Sequence, residues 1–120
     1  MNAQTSASLR RIKQLTDAEA HSLGITVQRI LCFGSQARKD ARQDGGWDLL
    51  VITDHAIERT VRLDLGRALA AQLARERLPS DILVMSADQF ESRKQDVGHI
   101  AYYADKESAV LQFFREVHEL

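Results

Sequence analysis

Four residues stand where a chain could hold a polyphosphate. Gly34 and Ser35 follow the apolar run Ile30-Leu31-Cys32-Phe33, while Asp48 and Asp81 lie at or next to the start of two further apolar runs. A glycine where a strand turns into a helix permits a tight bend and close backbone approach. The helix start beyond it offers unpaired N–H groups and the positive end of a dipole, which suit a phosphate. Ser35 adds a hydroxyl donor. Aspartates are costly to bury alone and require a cation or water. Carboxylates flanking a phosphate seat form the oxygen-rich surroundings that Mg²⁺ prefers, and that ion neutralises charge built up during in-line displacement at phosphorus.

Each feature alone has an ordinary explanation. Gly-Ser at a helix start is most often a cap, and an aspartate at a strand end is usually a solvated turn residue. Arg38, Lys39, Arg42, Arg59, Arg62 and Arg67 read as solvated helix faces, and Trp47 as core. His21, His55, His99 and His118 share no metal-ligand spacing. The joint arrangement of the Gly-Ser bend with two strand-start aspartates carries the reading.

The elements that must position these residues follow from periodicity. Residues 6–23 space Leu9, Ile12, Leu15 and Ala18 as a helix, with Gly24 as its stop. Residues 25–33 read as a strand, 36–42 as a short helix, and Asp44-Gly45-Gly46 as a turn. Residues 47–53 form a second strand. Residues 58–78 form an amphipathic helix with Val61, Leu65, Leu69 and Leu73 on its apolar stripe, broken by Pro79-Ser80. Residues 81–85 form a third strand, and 86–94 a short helix capped by Ser86. Residues 97–104 suggest a helical segment, and 109–120 a short strand or a last helix. This order predicts an α/β (α+β) fold, helices flanking a small mixed β-sheet, in one domain over residues 1–120.

The bulk composition narrows the function classes. The chain has 16 Lys+Arg against 17 Asp+Glu, a net charge of -1. No global field draws it to nucleic acid or membrane. It also lacks the basic surplus with interleaved aromatics that nonspecific nucleic-acid binding needs. The single cysteine, Cys32, excludes an internal disulfide and fits a reducing compartment, with a buried, inert thiol expected. The polar N-terminal residues lack a signal-peptide core, and no stretch approaches the roughly 20 apolar residues of a membrane span. The cytoplasm is the expected location. Phe113, Phe114 and Val117 would point to a homo- or hetero-oligomer interface if exposed, with packing of a last helix on the sheet an equal alternative.

The segment from Gly34 to Val51 resembles the signature of the minimal nucleotidyltransferases, the MNT family of the DNA polymerase beta superfamily. That signature is Gly-Ser, ten residues, then Asp-any-Asp leading into an apolar strand. Gly34-Ser35, Ala37, Arg38, Asp48 and the Leu49-Leu50-Val51 run fall on it. Asp81 matches the family's third carboxylate, and Glu107-Ser108 stands where its tail commonly has Glu-Gly. The likeness extends roughly from Ile30 to Leu111. It implies a polymerase beta-like fold, ATP as nucleotide donor and Mg²⁺ as cofactor. It places the triphosphate on Gly34, Ser35 and Arg38, the metal on Asp48 and Asp81, and catalysis on the same two aspartates, with Asp81 as base or ligand at the acceptor hydroxyl. It also implies a HEPN-domain partner, a ribonuclease toxin that the nucleotidyltransferase, as antitoxin, adenylylates.

One departure matters. The first aspartate of the Asp-any-Asp pair is Gly46 here, so a ligand is missing where two metals would share carboxylates. Three explanations stand, in this order: a naturally weakened member acting through binding, substitution by Asp44 from the pliable glycine loop, or a change introduced to trap a complex. Three functions follow: an adenylyltransferase antitoxin, a non-catalytic nucleotide- or partner-binding regulatory subunit of the same fold, and, lower, an aminoglycoside-type transferase. The last usually has a second domain building its acceptor pocket.

Overall fold

The computed structural model describes residues 3–33 and 46–96. The elements expected over residues 36–42, 97–104 and 109–120 lie outside them, as do Gly34, Ser35, Arg38, Asp44 and the three apolar tail residues.

The chain begins with α1 (Ala3–Ser22), three residues earlier than periodicity indicated. Its buried stripe is Leu9, Ile12, Thr16 and Ala20. Ala18, expected on that stripe, is exposed, because after Ile12 the buried positions step by four residues, to Thr16 and Ala20, and pass over it. Thr16 had been hidden by its polarity. Its hydroxyl donates to the Ile12 carbonyl at 2.7 Å, so the buried oxygen is satisfied inside its own helix.

Gly24 ends α1 as expected, with a φ of 72°. The Ile25 N–H donates to the Ala20 carbonyl and the Gly24 N–H to that of His21, the paired bonds of a Schellman cap. Ile25 then packs against Ala20 in the core.

Strand β1 (Val27–Phe33) runs antiparallel to β2 (Trp47–Thr53), which runs parallel to β3 (Ser80–Ser86). The sheet order is β1-β2-β3, with β2 in the centre. The crossover between the parallel strands is α2 (Arg59–Arg75). Leu65, Leu69 and Leu73 are fully buried, and Val61 packs beside them, confirming the expected stripe. The helix stops before Pro79, because Arg77 enters the left-handed region at φ 60°. The Leu78 N–H donates to the Leu73 carbonyl and the Arg77 N–H to that of Ala74, a second Schellman cap built without glycine. Strand β3 leads directly into α3 (Ala87–Arg93), where the Ser86 hydroxyl accepts from the Gln89 N–H at 3.2 Å, as a cap should.

The two sheet faces are covered unequally. On one face α1 and α2 bury Ile30, Cys32, Trp47 and Leu49 with Leu9, Ile12 and Leu73. On the other, α3 brings Phe90 onto Leu31, Leu50, Ile52 and Met85, and the Arg29 guanidinium lies 5.0 Å from the Phe90 ring centre. Polar clamps join α1 to α2. Arg11 grips Glu76 with bonds of 2.5 and 2.7 Å, and the Gln72 amide reaches Glu19.

Candidate functional site

Asp48 is the second residue of β2 and Asp81 the second of β3, and the two are register partners. Side chains alternate along a strand, and partners at one register share a face. Asp48 is in step with Leu50 and Ile52, and Asp81 with Leu83 and Met85, so both aspartates belong to the face that α3 covers. Among the described elements α3 reaches only the far end of it, at Met85 and Phe90. Asp48 is half-buried and Asp81 exposed.

Asp48 also faces Phe33, the last residue of β1. Three chain positions therefore meet at one end of the sheet: both aspartates and the residue from which the chain enters Gly34-Ser35. Backbones of register partners on neighbouring strands lie about 4.8 Å apart. Carboxylates that come as close as their backbones repel each other unless a cation or donors stand between them.

Cys32 reports on the same corner. Its thiol is pushed up to about 12, mainly by burial and further by the negative charge of Asp48. It stays protonated and inert, as expected from its apolar run.

The donor set fits one Mg²⁺. Such an ion commonly takes one or two carboxylates and completes its shell with waters and substrate phosphate oxygens. Asp48 and Asp81 supply that number. Among the described residues there is no group of three potential metal-binding side chains, so a two-metal clamp cannot be assembled from these residues alone. Gly46 is exposed, and its φ is one that any L residue adopts. A Cβ built on it would stand 3.3 Å from the Pro79 carbonyl oxygen. That same oxygen accepts from the Trp47 N–H at 2.9 Å, the first rung between the two parallel strands. A carboxylate at position 46 would therefore crowd the backbone that sets the Asp48–Asp81 register.

Sequence reasoning missed the surroundings of three arginines. Arg59, Arg62 and Arg67, read as solvated, line a groove between α2 and β3 that also includes Asp81. Their spacing along one helix was visible, but that β3 forms the other wall depends on the packing.

No family model and no curated protein matches this sequence. Several solved structures are similar to it. One is a toxin-antitoxin with AMP-PNP, at 17% identity and TM-score 0.48 over 88% of this chain and 91% of that one. A second is a tri-AMPylated Shewanella oneidensis HEPN toxin in complex with MNT antitoxin, at 16% identity and TM-score 0.48, covering 96% of this chain and 92% of that one. A third is the toxin-antitoxin MntA-HepT, at 16% identity and TM-score 0.46 over 95% and 92% of the two chains. TM-scores below 0.5 are too loose to transfer a residue role or an activity to this chain. Among the described residues no helix is long and apolar enough to cross a membrane.

Proposed function

We propose that this chain is a minimal nucleotidyltransferase-type antitoxin that binds ATP between the Gly34-Ser35 bend and the Asp48–Asp81 pair, and adenylylates a HEPN ribonuclease partner at reduced rate. The shared register of Asp48 and Asp81 is the observation that carries this reading. It puts two carboxylates on one face, beside the strand end that leads into Gly34-Ser35.

In this proposal Gly34, Ser35 and Arg38 hold the triphosphate, and Asp48 with Asp81 holds Mg²⁺, which supplies charge neutralisation at the phosphates. Asp81, the more exposed of the pair, accepts the proton of the acceptor hydroxyl. The hydroxyl oxygen forms a bond to the α-phosphorus, the bond from that phosphorus to the bridging oxygen breaks, and pyrophosphate leaves. The exposure of Asp81 suits a substrate as large as a protein side chain. The cytoplasm is the compartment this reading assigns.

A second reading, masking of the partner by contact alone, is favoured by Gly46 itself, which leaves Asp48 and Asp81 without a third carboxylate among the described residues. Calorimetric titration of ATP with Mg²⁺ and with EDTA, followed by transfer of labelled AMP to the co-expressed partner, separates the two. Saturable metal-dependent binding with transfer supports catalysis. Tight partner binding without either supports masking, and absence of both nucleotide and partner binding overturns the proposal.

A further inference from the structure

The outer edge of β3 has no strand partner among the described residues. Natural sheet edges are usually guarded by lysine, proline or a bulge. The strand Ser-Asp-Ile-Leu-Val-Met-Ser contains neither residue, and its pairing with β2 is regular throughout. Instead it carries Leu83, 47% exposed, on the sheet face that α3 shares, while α2 presents Leu63, 40% exposed, over the opposite face. These leucines line a groove of about 550 Å³ with Arg59, Arg62 and Arg67 on the helical wall and Asp81 on the strand. None of the three arginines is ion-paired with another described residue.

We propose that this groove takes an extended, acidic peptide segment of a partner protein, added as a further strand on β3. Main-chain bonds to this edge, which no described strand pairs, would supply affinity, and alternate side chains would supply specificity. On the side facing α2, carboxylates meet guanidinium groups, whose planar donors match them in pairs. Apolar side chains on the peptide's other face cover Leu83. A second copy of this chain is a poor occupant, since symmetric pairing of two β3 edges brings two sets of arginines together. Single-stranded nucleic acid is also disfavoured, because no described residue lining the groove is an aromatic platform on which bases could stack. The proposal concerns peptide docking alone and stands or falls separately from nucleotide transfer.

The test uses the full chain without nucleotide and a fluorescein-labelled peptide of alternating glutamate and valine. Anisotropy should rise saturably and should not do so for the lysine–valine counterpart. N-methylation of alternate amides, which removes edge-facing donors while keeping charge, should abolish binding. The exposed charge reversals Arg59→Glu and Arg67→Glu together should weaken it by about tenfold or more, with circular dichroism unchanged. Binding that survives N-methylation reduces the groove to a charged patch and overturns the proposal. So does equal displacement by an oligouridylate. Absence of binding by the full chain overturns it too, with sedimentation equilibrium then distinguishing a second copy on the edge from the chain's own residues 97–120.

Discussion

Asp48 and Asp81 face each other in register across the parallel β2–β3 pair, one half-buried and the other exposed. If the pair holds the cation of the proposed function, each carboxylate should count. Asp48→Asn and Asp81→Asn should each weaken Mg²⁺-dependent ATP binding by about tenfold or more, the effect of losing one charged ligand contact. Folding stability should change little for Asp81→Asn, whose side chain lies in solvent. Titration calorimetry of each variant with thermal melts alongside checks this, and undiminished binding in both variants would remove the pair from the site.

Gly46 leads to a prediction of opposite sign for stability and binding. In Gly46→Asp the new Cβ meets the Pro79 carbonyl at 3.3 Å, so the strand start must yield by a few tenths of an ångström. A cost of about 1 kcal/mol follows from such local overpacking, while the restored carboxylate should tighten metal-dependent ATP binding. Denaturant unfolding and calorimetry on the same preparation read both quantities. Gly46→Ala separates them: it carries the steric cost without the ligand.

The fold was legible because its elements carry local signals. The alternation and apolar runs of β2 and β3, the four-residue leucine steps of α2, Gly24 and Ser86 all act within a few residues of where they stand. The Asp48–Asp81 alignment was only partly legible. Each aspartate announced itself at a strand start, but register is set by pairing across a crossover of 26 intervening residues between Thr53 and Ser80. Thr16 in the core and the premature end of α2 at Arg77 were not visible. The first depends on a hydroxyl turned back on its own helix, the second on a left-handed residue that is not glycine.

Cys32 sets an alkaline limit. Its thiol titrates at about 12 in the folded chain and near 8.5 when unfolded. Below the unfolded value the thiol is protonated in both states and its contribution to stability is fully present. Above it the unfolded chain gains by ionising, so stability falls as pH rises from the unfolded towards the folded value. Unfolding midpoints in urea should decline between about pH 8.5 and 10.5, and Cys32→Ala, though less stable throughout, should flatten that decline. The native thiol should react with a disulfide reagent at neutral pH only when the chain is unfolded; rapid native labelling would contradict its burial.

The Arg11–Glu76 clamp acts at the other end of the pH scale. The hydrogen-bonded guanidinium of Arg11 holds the Glu76 carboxyl below its usual range. Its contribution to stability is present above the ordinary glutamate value and is lost as pH falls through the lowered folded one. Both side chains are partly solvated, so the effect should be small and screened by salt. Glu76→Gln should lower the melting temperature slightly at pH 7, and the difference from the parent chain should vanish in strong acid or at high ionic strength. A difference that persists there would have another origin.

The two Schellman caps make a matched pair with opposite substitutions. Both turn the chain through a left-handed residue, at φ 72° in Gly24 and φ 60° in Arg77, and both are closed by the next residue returning to the core, Ile25 and Leu78. Gly24 bears the turn without strain, since no side chain meets the preceding carbonyl. Arg77 bears it at a cost for an L residue of roughly 1–2 kcal/mol, part of which glycine recovers after its larger unfolded-state entropy is deducted. Arg77→Gly should therefore stabilise the chain by about 0.5–1 kcal/mol, and Gly24→Ala should destabilise it by about 1 kcal/mol. Nothing lies within 4 Å of a Cβ built on Gly24, so the latter cost comes from the backbone alone. Paired urea unfolding curves with unchanged slopes measure both. If Arg77→Gly were destabilising, the arginine side chain, and not the turn, would be what holds the end of α2.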